Sequence, residues 1–431
     1  MARIVLHTFG SFGDLHPYLA IAARLRSRGH EPAIATSEFY RAKVVGEGIG
    51  FHGIRPDIGE LLNDGALLRK LWHPRRGTEY LLRDYVLPAV EQSYADLLEA
   101  CAGADLLLTH TAGYAGPVVA EKLGLRWLSV ALQPTVFMSV YDPPVLAPAP
   151  WLRHFYRFGR MPFAAAIAIA KRETRRWAEP IFRLRRRIGL PGVRANPIFE
   201  GQFSPFGTLA LFSRHFAQPQ PDWPLRVHVA GFAFYDRPGA VAGLKPANEL
   251  EALERFLRDG PPPVLFTLGS SAVMQPGGFF RESIAAAQKL GIRAVLLVGG
   301  SGSRPQLPES MFAASYVPYS EIMPQAAAIV HQGGIGTTGQ ALRAGRPMLV
   351  VPWAHDQPDN AERIRKRGVG RMIPRARYTA GRAARELSRL LEDDGRAQRA
   401  RELGAEIAAE DGAAEACGVI EEMLACNGKF G

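Results

Sequence analysis

His331-Gln-Gly-Gly-Ile-Gly-Thr-Thr-Gly339 follows a short apolar run, Ala328 to His331, and leads into a helical run through Leu342. Gly333, Gly334 and Gly336 let backbone N–H groups approach a ligand closely. The start of the following helix adds unpaired donors and the positive end of its dipole. Thr337 and Thr338 contribute hydroxyls, and His331 at the strand end is placed to donate to a phosphate oxygen. The stretch predicts an anion cradle suited to a diphosphate. A plain strand-to-helix turn needs fewer glycines. The same residues also meet the dinucleotide fingerprint, as Gly334-x-Gly336-x-x-Gly339 with Asp356 twenty residues beyond Gly336. Two features count against a nicotinamide enzyme. The motif lies late in its array of strands, and Asp356 belongs to a loop with more polar groups than one ribose requires.

Working outward, that loop is His355-Asp-Gln-Pro-Asp-Asn360, after the strand Met348 to Pro352. Asp356 and Gln357 there suit sugar hydroxyls. Asp359 or Asn360 also fits as the N-cap of a helix from Ala361 to Lys366. Gly269-Ser270-Ser271 is a second polar loop at a strand end. A third is Gly10-Ser-Phe-Gly13-Asp14-Leu-His-Pro17, after a strand from Ile4 to Phe9. Gly10 and Gly13 permit a tight turn, and Ser11 can bond a phosphate or sugar. Asp14 is either an acid at a helix start or a general base, and His16 is a second candidate base.

These loops sit in a repeating order. Ile4 to Phe9, Ala33 to Thr36, Asp105 to Thr109 and Trp127 to Ala131 read as strands, with helices at Pro17 to Arg28 and from near Tyr114. Val264 to Leu268, Ala294 to Val298, Ala328 to His331 and Met348 to Val351 repeat the pattern, with a helix at Phe279 to Leu290. Alternating strands and helices predict α/β architecture: two doubly wound parallel-sheet, Rossmann-like domains facing a cleft. The expected division is 1–225 with a helical insertion at about 143–197, a linker at 226–262 rich in Pro and Gly (Pro238 and Gly239 among them), 263–410, and a terminal helix in 411–431.

The chain has 431 residues, 47% hydrophobic and 22% charged, which excludes wholesale disorder. Cys101, Cys417 and Cys426 cannot form a disulfide framework or a CxxC zinc site, and no His or Asp-x-Asp cluster has metal-ligand spacing. Glu392-Asp393-Asp394 reads as a solvated helix end. No metal is expected. Met1 to Phe9 lacks the features of a signal peptide, so a cytoplasmic location is expected. The most apolar run, Met161 to Ala170, is far short of the roughly 20 residues that span a bilayer. The net charge is +11. Trp151 to Arg194 carries twelve Lys/Arg and two acids, so this block holds +10 and the other 387 residues only +1. Such a block fits an anionic partner such as membrane headgroups, an acidic substrate or nucleic acid. It equally fits a solvated, Arg-rich helical face.

Tyr316-Val-Pro, His331 to Thr338, Ala344-Gly-Arg-Pro347 and His355-Asp-Gln-Pro-Asp-Asn-Ala361 together resemble the donor signature of inverting nucleotide-sugar glycosyltransferases of GT-B architecture. Gly10 to Pro17 resembles the N-terminal signature of the branch holding sterol glucosyltransferases, antibiotic glycosyltransferases and rhamnolipid rhamnosyltransferases. The likeness in pattern is greatest to the last, and extends to Pro221-Asp-Trp-Pro224 and Gly231-Phe232. The resemblance covers nearly the whole chain except the Trp151 to Arg194 block.

The resemblance implies that Tyr316, with Val317 beside it, lies at the nucleobase. His331 and the amides from Gly333 to Thr338 would hold the diphosphate, with Ser270 and Ser271 as further contacts. Asp356 and Gln357 would hold the sugar, and Asp14 would be the base. The partners implied are a nucleotide sugar and a hydrophobic small-molecule acceptor, with no nucleic acid and no cofactor beyond the co-substrate. Where plant relatives place a ribose-binding Glu, this chain has Gly339, which favours a TDP-linked over a UDP-linked hexose, although Gln340 can partly substitute. Gln133, Phe137, Phe155 and Phe163 are expected to line a greasy acceptor pocket for a hydroxy-lipid, sterol, polyketide or flavonoid. The basic block would favour peripheral contact with an anionic membrane. A nucleotide-sugar epimerase and a non-catalytic binding protein are the remaining alternatives.

Overall fold

Short β-branched and Leu-rich runs, each bounded by Gly or polar loops, become fully buried strands because helices cover both faces of a parallel sheet. The computed structural model describes residues 1–235, 247–300 and 307–425. Pro238, Gly239 and Cys426 lie outside the described residues. The chain forms two compact units: 1–71, 75–235 and 410–431 make the first, and 72–74 with 236–409 make the second.

The first unit carries β1 (Arg3–His7), β2 (Glu31–Thr36), β3 (Gly50–Gly53), β4 (Leu106–His110), β5 (Trp127–Ala131), β6 (Thr208–Ala210) and β7 (Val227–Val229). They form one sheet in the order β3-β2-β1-β4-β5-β6-β7, every pair parallel. The second unit carries β8 (Val264–Thr267), β9 (Ala294–Leu297), β10 (Met311–Ala314), β11 (Ala328–His331), β12 (Met348–Val350) and β13 (Gly370–Met372). Their order is β10-β9-β8-β11-β12-β13, again parallel throughout. Both orders reverse beside the first strand of the sheet, between β1 and β4 and between β8 and β11. Such a switch point opens a crevice at the strand C-terminal ends.

Several boundaries differ from expectation. Helix α1 spans Phe12–Ser27, so Pro17 lies inside it and not at its start. Ser11 and Asp14 form a capping box that starts the helix five residues early and offsets the missing proline N–H. β7 pairs with β6 and so belongs to the first sheet, although it falls in the expected linker. The helix Ala247–Arg258 also falls in that linker, and Glu249 Oε1 accepts the Ser315 N–H at 2.7 Å within the second unit. Three further helices are used below: α2 (Ile335–Arg343), α3 (Gln357–Lys366) and α4 (Gly412–Ala425). Nothing in its composition assigned α4 a place. It returns to the first unit, where Asp411 and Glu421 pair with Arg24 and Arg28 of α1, each at 2.6 Å. Asp393, in the acidic run, caps the helix Asp394–Ala408 by accepting the Arg396 N–H at 2.8 Å.

The basic block divides in two. Its second half is tied to acids: Arg185 to Glu121 at 2.6 Å, Arg187 to Glu91 at 2.8 Å, Arg186 to Glu179 at 2.8 Å and Lys171 to Glu200 at 2.7 Å. Its first half accompanies exposed apolar side chains. Trp151, Phe155, Phe158 and Met161 are 56%, 43%, 62% and 77% exposed, and Arg157 lies 4.7 Å over the Phe158 ring. Among the described residues no helix is long and apolar enough to cross a membrane.

Burial holds His7, His16 and His331 at pKa values of about 3, far below the ordinary 6.5. The folded state therefore keeps these rings neutral while the unfolded chain takes up protons below pH 6.5. Stability contributed by their neutrality is complete above pH 6.5 and lost as pH falls toward 3. Asp14, whose carboxyl is raised by burial, works in the opposite direction, and His110, lowered by burial, adds to the three rings. The melting temperature should fall steadily from pH 6.5 to 4.5 at constant ionic strength. A flat profile over that range would show that these rings are not held neutral.

Candidate active site

On the second unit, β11 ends at His331 and α2 begins at Ile335, with Gly334 as its N-cap. Gly333 has φ +88°, and a Cβ there would approach Val350 Cγ1 to 2.8 Å and the Gln357 carbonyl oxygen to 3.2 Å. The loop closes only because that side chain is missing. His331 is fully buried, and its Nδ1 accepts the Gly333 N–H at 3.1 Å. A neutral ring whose Nδ1 accepts carries its proton on Nε2. That Nε2 is buried without a hydrogen-bond partner. Thr338 Oγ1, Gln332 Oε1 and Asn360 Oδ1 are likewise buried and unpartnered. Folded proteins leave few such groups unmet. The Nε2–H and Thr338 hydroxyl suit phosphate oxygens, and the two carboxamide oxygens suit sugar or ribose hydroxyls. Gly336 is exposed and Thr337 buried in the first turn of α2.

The polar loop after β12 is braced against this cradle. Helix α3 begins at Gln357, not Ala361, and Asp356 occupies its N-cap without a side-chain capping bond. Gln357 Oε1 accepts the N–H groups of Trp353 at 2.7 Å and Ala354 at 3.2 Å, which leaves its Nε2 for a ligand. Asn360 Nδ2 donates to the Gly333 carbonyl at 2.9 Å and to Asp356 Oδ2 at 2.6 Å. Asn360 therefore links the phosphate loop to the acid, a coupling that spacing did not show. After β8, Ser270 is exposed and Ser271 half-buried in the turn Gly269–Ala272. After β10, Tyr316 is half-buried, whereas Val317 is only 4% exposed and turns its side chain into the core. Gln340 is buried, and its Oε1 accepts from Arg343 at 2.5 Å.

On the first unit, Asp14 is the third residue of α1. Its Oδ2 accepts the Ser11 N–H at 2.7 Å and the Ser11 hydroxyl at 3.0 Å. Ser11 Oγ in turn accepts the Gly13 N–H at 3.2 Å. Gly10 has φ +132°, and a Cβ there would lie 2.3 Å from Asp14 Oδ2, so the carboxylate occupies space that only glycine leaves open. The cap uses Oδ2 and leaves Oδ1 outside it. Burial pushes the Asp14 carboxyl above its ordinary range, opposed by the charge of His110 and the bonds to Ser11. His16 moves the other way, to about 3, through burial and the charge of Lys43. Its ring lies between Phe12 at 5.6 Å and Tyr235 at 5.2 Å. Burial thus makes His16 the poorer base and Asp14 the better one. The capping box and the base reading of Asp14 are compatible, since one oxygen serves each.

Two family models match this chain. The Glycosyltransferase family 28 N-terminal domain covers residues 4–141, and the Erythromycin biosynthesis protein CIII-like C-terminal domain covers residues 295–423. The O-mycaminosyltylonolide 6-deoxyallosyltransferase of Streptomyces fradiae is 33% identical over 97% of this chain and 97% of its own length. The chain belongs to this glycosyltransferase family. A sterol 3-beta-glucosyltransferase of Cryptococcus neoformans is 28% identical over 98% of this chain, which spans only 27% of that longer protein. The solved spinosyn rhamnosyltransferase SpnG, complexed with thymidine diphosphate, aligns with a TM-score of 0.66 at 21% identity over 97% of this chain and all of that one. The two parallel-sheet units are those of the GT-B architecture, and the chain is a hexosyltransferase.

The transferase does not present all four expected acceptor residues. Phe163 is completely buried and packs against Tyr156 at 5.5 Å in a core cluster with Leu152 and Ile167. Phe137 is 7% exposed and stacks on Trp223 at 4.2 Å. Both are core residues, because each has other aromatic rings to pack on: Tyr156 for Phe163 within the insertion, and Phe203, Phe212 and Trp223 for Phe137 outside it. Phe155 is exposed beside Trp151, and Gln133 is half-buried. A small cavity of about 20 Å³ opens elsewhere, among the loops after β1, β2, β3 and β4, lined by Phe9, Ile54, Val86, Val90 and Tyr114 with the polar His7, Ser37, Arg55 and Ser93, and it has room for a water rather than for an acceptor. Its residues come from five separate stretches, so no single motif announces it.

Proposed function

We propose that this transferase moves a hexose from a TDP-linked donor to the hydroxyl of a hydrophobic polycyclic or macrocyclic acceptor, with inversion and with Asp14 as general base. The observation that carries the donor half is the set of buried, unpartnered groups around the α2 N-terminus: His331 Nε2, Thr338 Oγ1 and Asn360 Oδ1. The helix end and His331 meet the charge that grows on the leaving diphosphate, so no metal and no further cofactor is called for. Ser270, Asp356 and Gln357 complete the donor contacts. Gly339 offers no carboxylate for a ribose 2′-hydroxyl, and Gln340 is engaged by Arg343. Both points favour a deoxyribose, as does the thymidine diphosphate bound by the structural relative SpnG.

In the reaction, Asp14 Oδ1 takes the acceptor proton as the hydroxyl oxygen attacks the anomeric carbon and the nucleoside diphosphate departs. A carboxylate of ordinary pKa near 4 is a weak base for an alcohol, and the burial of Asp14 raises its affinity for the proton. Relatives named for macrolide and sterol acceptors support a greasy alcohol. The exposed Trp151–Phe155–Phe158–Met161 surface with Arg153, Arg157 and Arg160 supports peripheral contact with an anionic membrane.

Thermal-shift titration should show TDP stabilising the protein more than UDP at equal concentration. A ligand at 100 times its dissociation constant adds about 2.7 kcal/mol. A larger UDP shift would reverse the donor assignment. Asp14→Asn should lower kcat by roughly 10²–10⁴-fold while the TDP shift persists. In the wild type, kcat/KM should decline as pH drops through the raised Asp14 pKa, above the ordinary 3.8. Turnover of the Asn variant near wild type would remove Asp14 from the chemistry. For the membrane, sedimentation with vesicles should show binding to phosphatidylglycerol-containing but not pure phosphatidylcholine vesicles. A Trp151→Ser/Phe158→Ser variant that still sediments would place the contact elsewhere.

A further inference from the structure

His110 is the last residue of β4, and nothing above gives it a role. It is 6% exposed. Its Nδ1 accepts the Ala112 N–H at 3.1 Å, so a neutral ring carries its proton on Nε2. That Nε2 is buried and has no hydrogen-bond partner.

The second unit repeats this arrangement. His331 ends β11, its Nδ1 accepts the N–H two residues on, and its Nε2 is buried and unpartnered. β4 lies beside β1 as β11 lies beside β8, so the two histidines hold the same station at the switch point of their sheets. His7, the neighbour on β1, does not share the pattern, because its Nδ1 is engaged with Thr109 Oγ1 at 2.9 Å. At His331 the open Nε2–H faces the place read above as the diphosphate site. At His110 it belongs to the region of Asp14: the two groups shift each other's ionisation, yet no direct hydrogen bond joins them. Tyr18 and Tyr40 also feel the Asp14 charge, and the Tyr40 hydroxyl is already committed to the Gly10 carbonyl at 2.9 Å. β4 and β1 are paired neighbours, so the strand end that carries His110 lies beside the strand that feeds α1 and Asp14.

We propose that His110 orients the acceptor: its Nε2–H donates to the oxygen of the acceptor hydroxyl while that hydroxyl's proton points at Asp14 Oδ1. This rests on the reading of Asp14 as base. A hydroxyl oxygen has two lone pairs. One accepts from His110, and the other is left to attack the anomeric carbon. The O–H proton passes to Asp14, the new C–O bond forms, and the bond from the anomeric carbon to the diphosphate oxygen breaks with its electron pair leaving on the diphosphate. His110 keeps its proton throughout. Its contribution is orientation, which sets how often the bound alcohol is poised for attack.

The test compares His110→Leu, which deletes the donor, with His110→Gln, which keeps an N–H near the position of Nε2, beside Asp14→Asn. The probes are TDP-rhamnose with O-mycaminosyltylonolide and UDP-glucose with ergosterol. His110→Leu should lower kcat by roughly 10²-fold and raise the acceptor KM, with the donor KM and the TDP thermal shift unchanged. His110→Gln should recover most of the loss. A Leu variant within threefold of wild type, or a Gln variant as poor as Leu, overturns the proposal. Near-wild-type turnover of Asp14→Asn instead overturns the base reading on which it rests. Histidine-selective 15N spectra of the wild-type and Asp14→Asn proteins decide the matter even where a variant folds poorly or a probe pair does not react. The expected result is a His110 ring protonated on Nε2 at pH 7 whose Nε2 signal moves when Asp14 is changed. A ring protonated on Nδ1, or a signal indifferent to Asp14, overturns the assignment.

Discussion

Parallel strands bring all their C-terminal ends, and the N-termini of the helices that follow, to one edge of a sheet. Both units of this transferase are built wholly from such strands, and each functional side chain described here lies at that edge. His110 and His331 are the last residues of their strands, and Asp14 and Thr337 lie in the first turn of the helices that follow. The edge combines open backbone donors, the positive ends of helix dipoles and a crevice at the strand-order reversal. The geometry of the sheet thus supplies a positive field at that edge.

Burial at the same edge inverts ordinary acid–base order. In water an imidazole is a stronger base than a carboxylate by more than two pKa units. Here the region raises Asp14 and drives His16 to about 3, because removing water penalises the charged form of each. The carboxylate gains affinity for a proton where the buried histidines lose it. Ser11 opposes the upward pull of burial on Asp14, since two hydrogen bonds to Oδ2 favour the anion. One serine thus starts the helix and tunes the carboxylate.

Legibility followed the range of the interaction. The glycine loops were readable because their requirement is local: Gly10 and Gly333 have positive φ, and a Cβ at either would collide with neighbours. The long buried strands were readable from composition. Short strands such as Gly50–Gly53, Thr208–Ala210 and Gly370–Met372 were not, since three or four residues carry no period. The Ser11-x-x-Asp14 capping pattern was present in the sequence, but Pro17 drew the expected helix start to itself. Phe137 and Phe163 were expected at the acceptor and are buried in the core, because hydrophobicity marks a core residue and a ligand contact alike.

Residue order alone therefore determined the alternating α/β architecture, the glycine-rich turn after β11 and Asp14 as a residue of interest, since each depends on a few neighbouring residues and on steric rules that act within a turn. Folding decided which distant groups share a place: α4 against α1, Asn360 joining Gly333 to Asp356, and β4 beside β1. Those pairings depend on which strands become neighbours in a sheet, and that choice is settled by the packing of whole layers, which no short stretch of sequence contains.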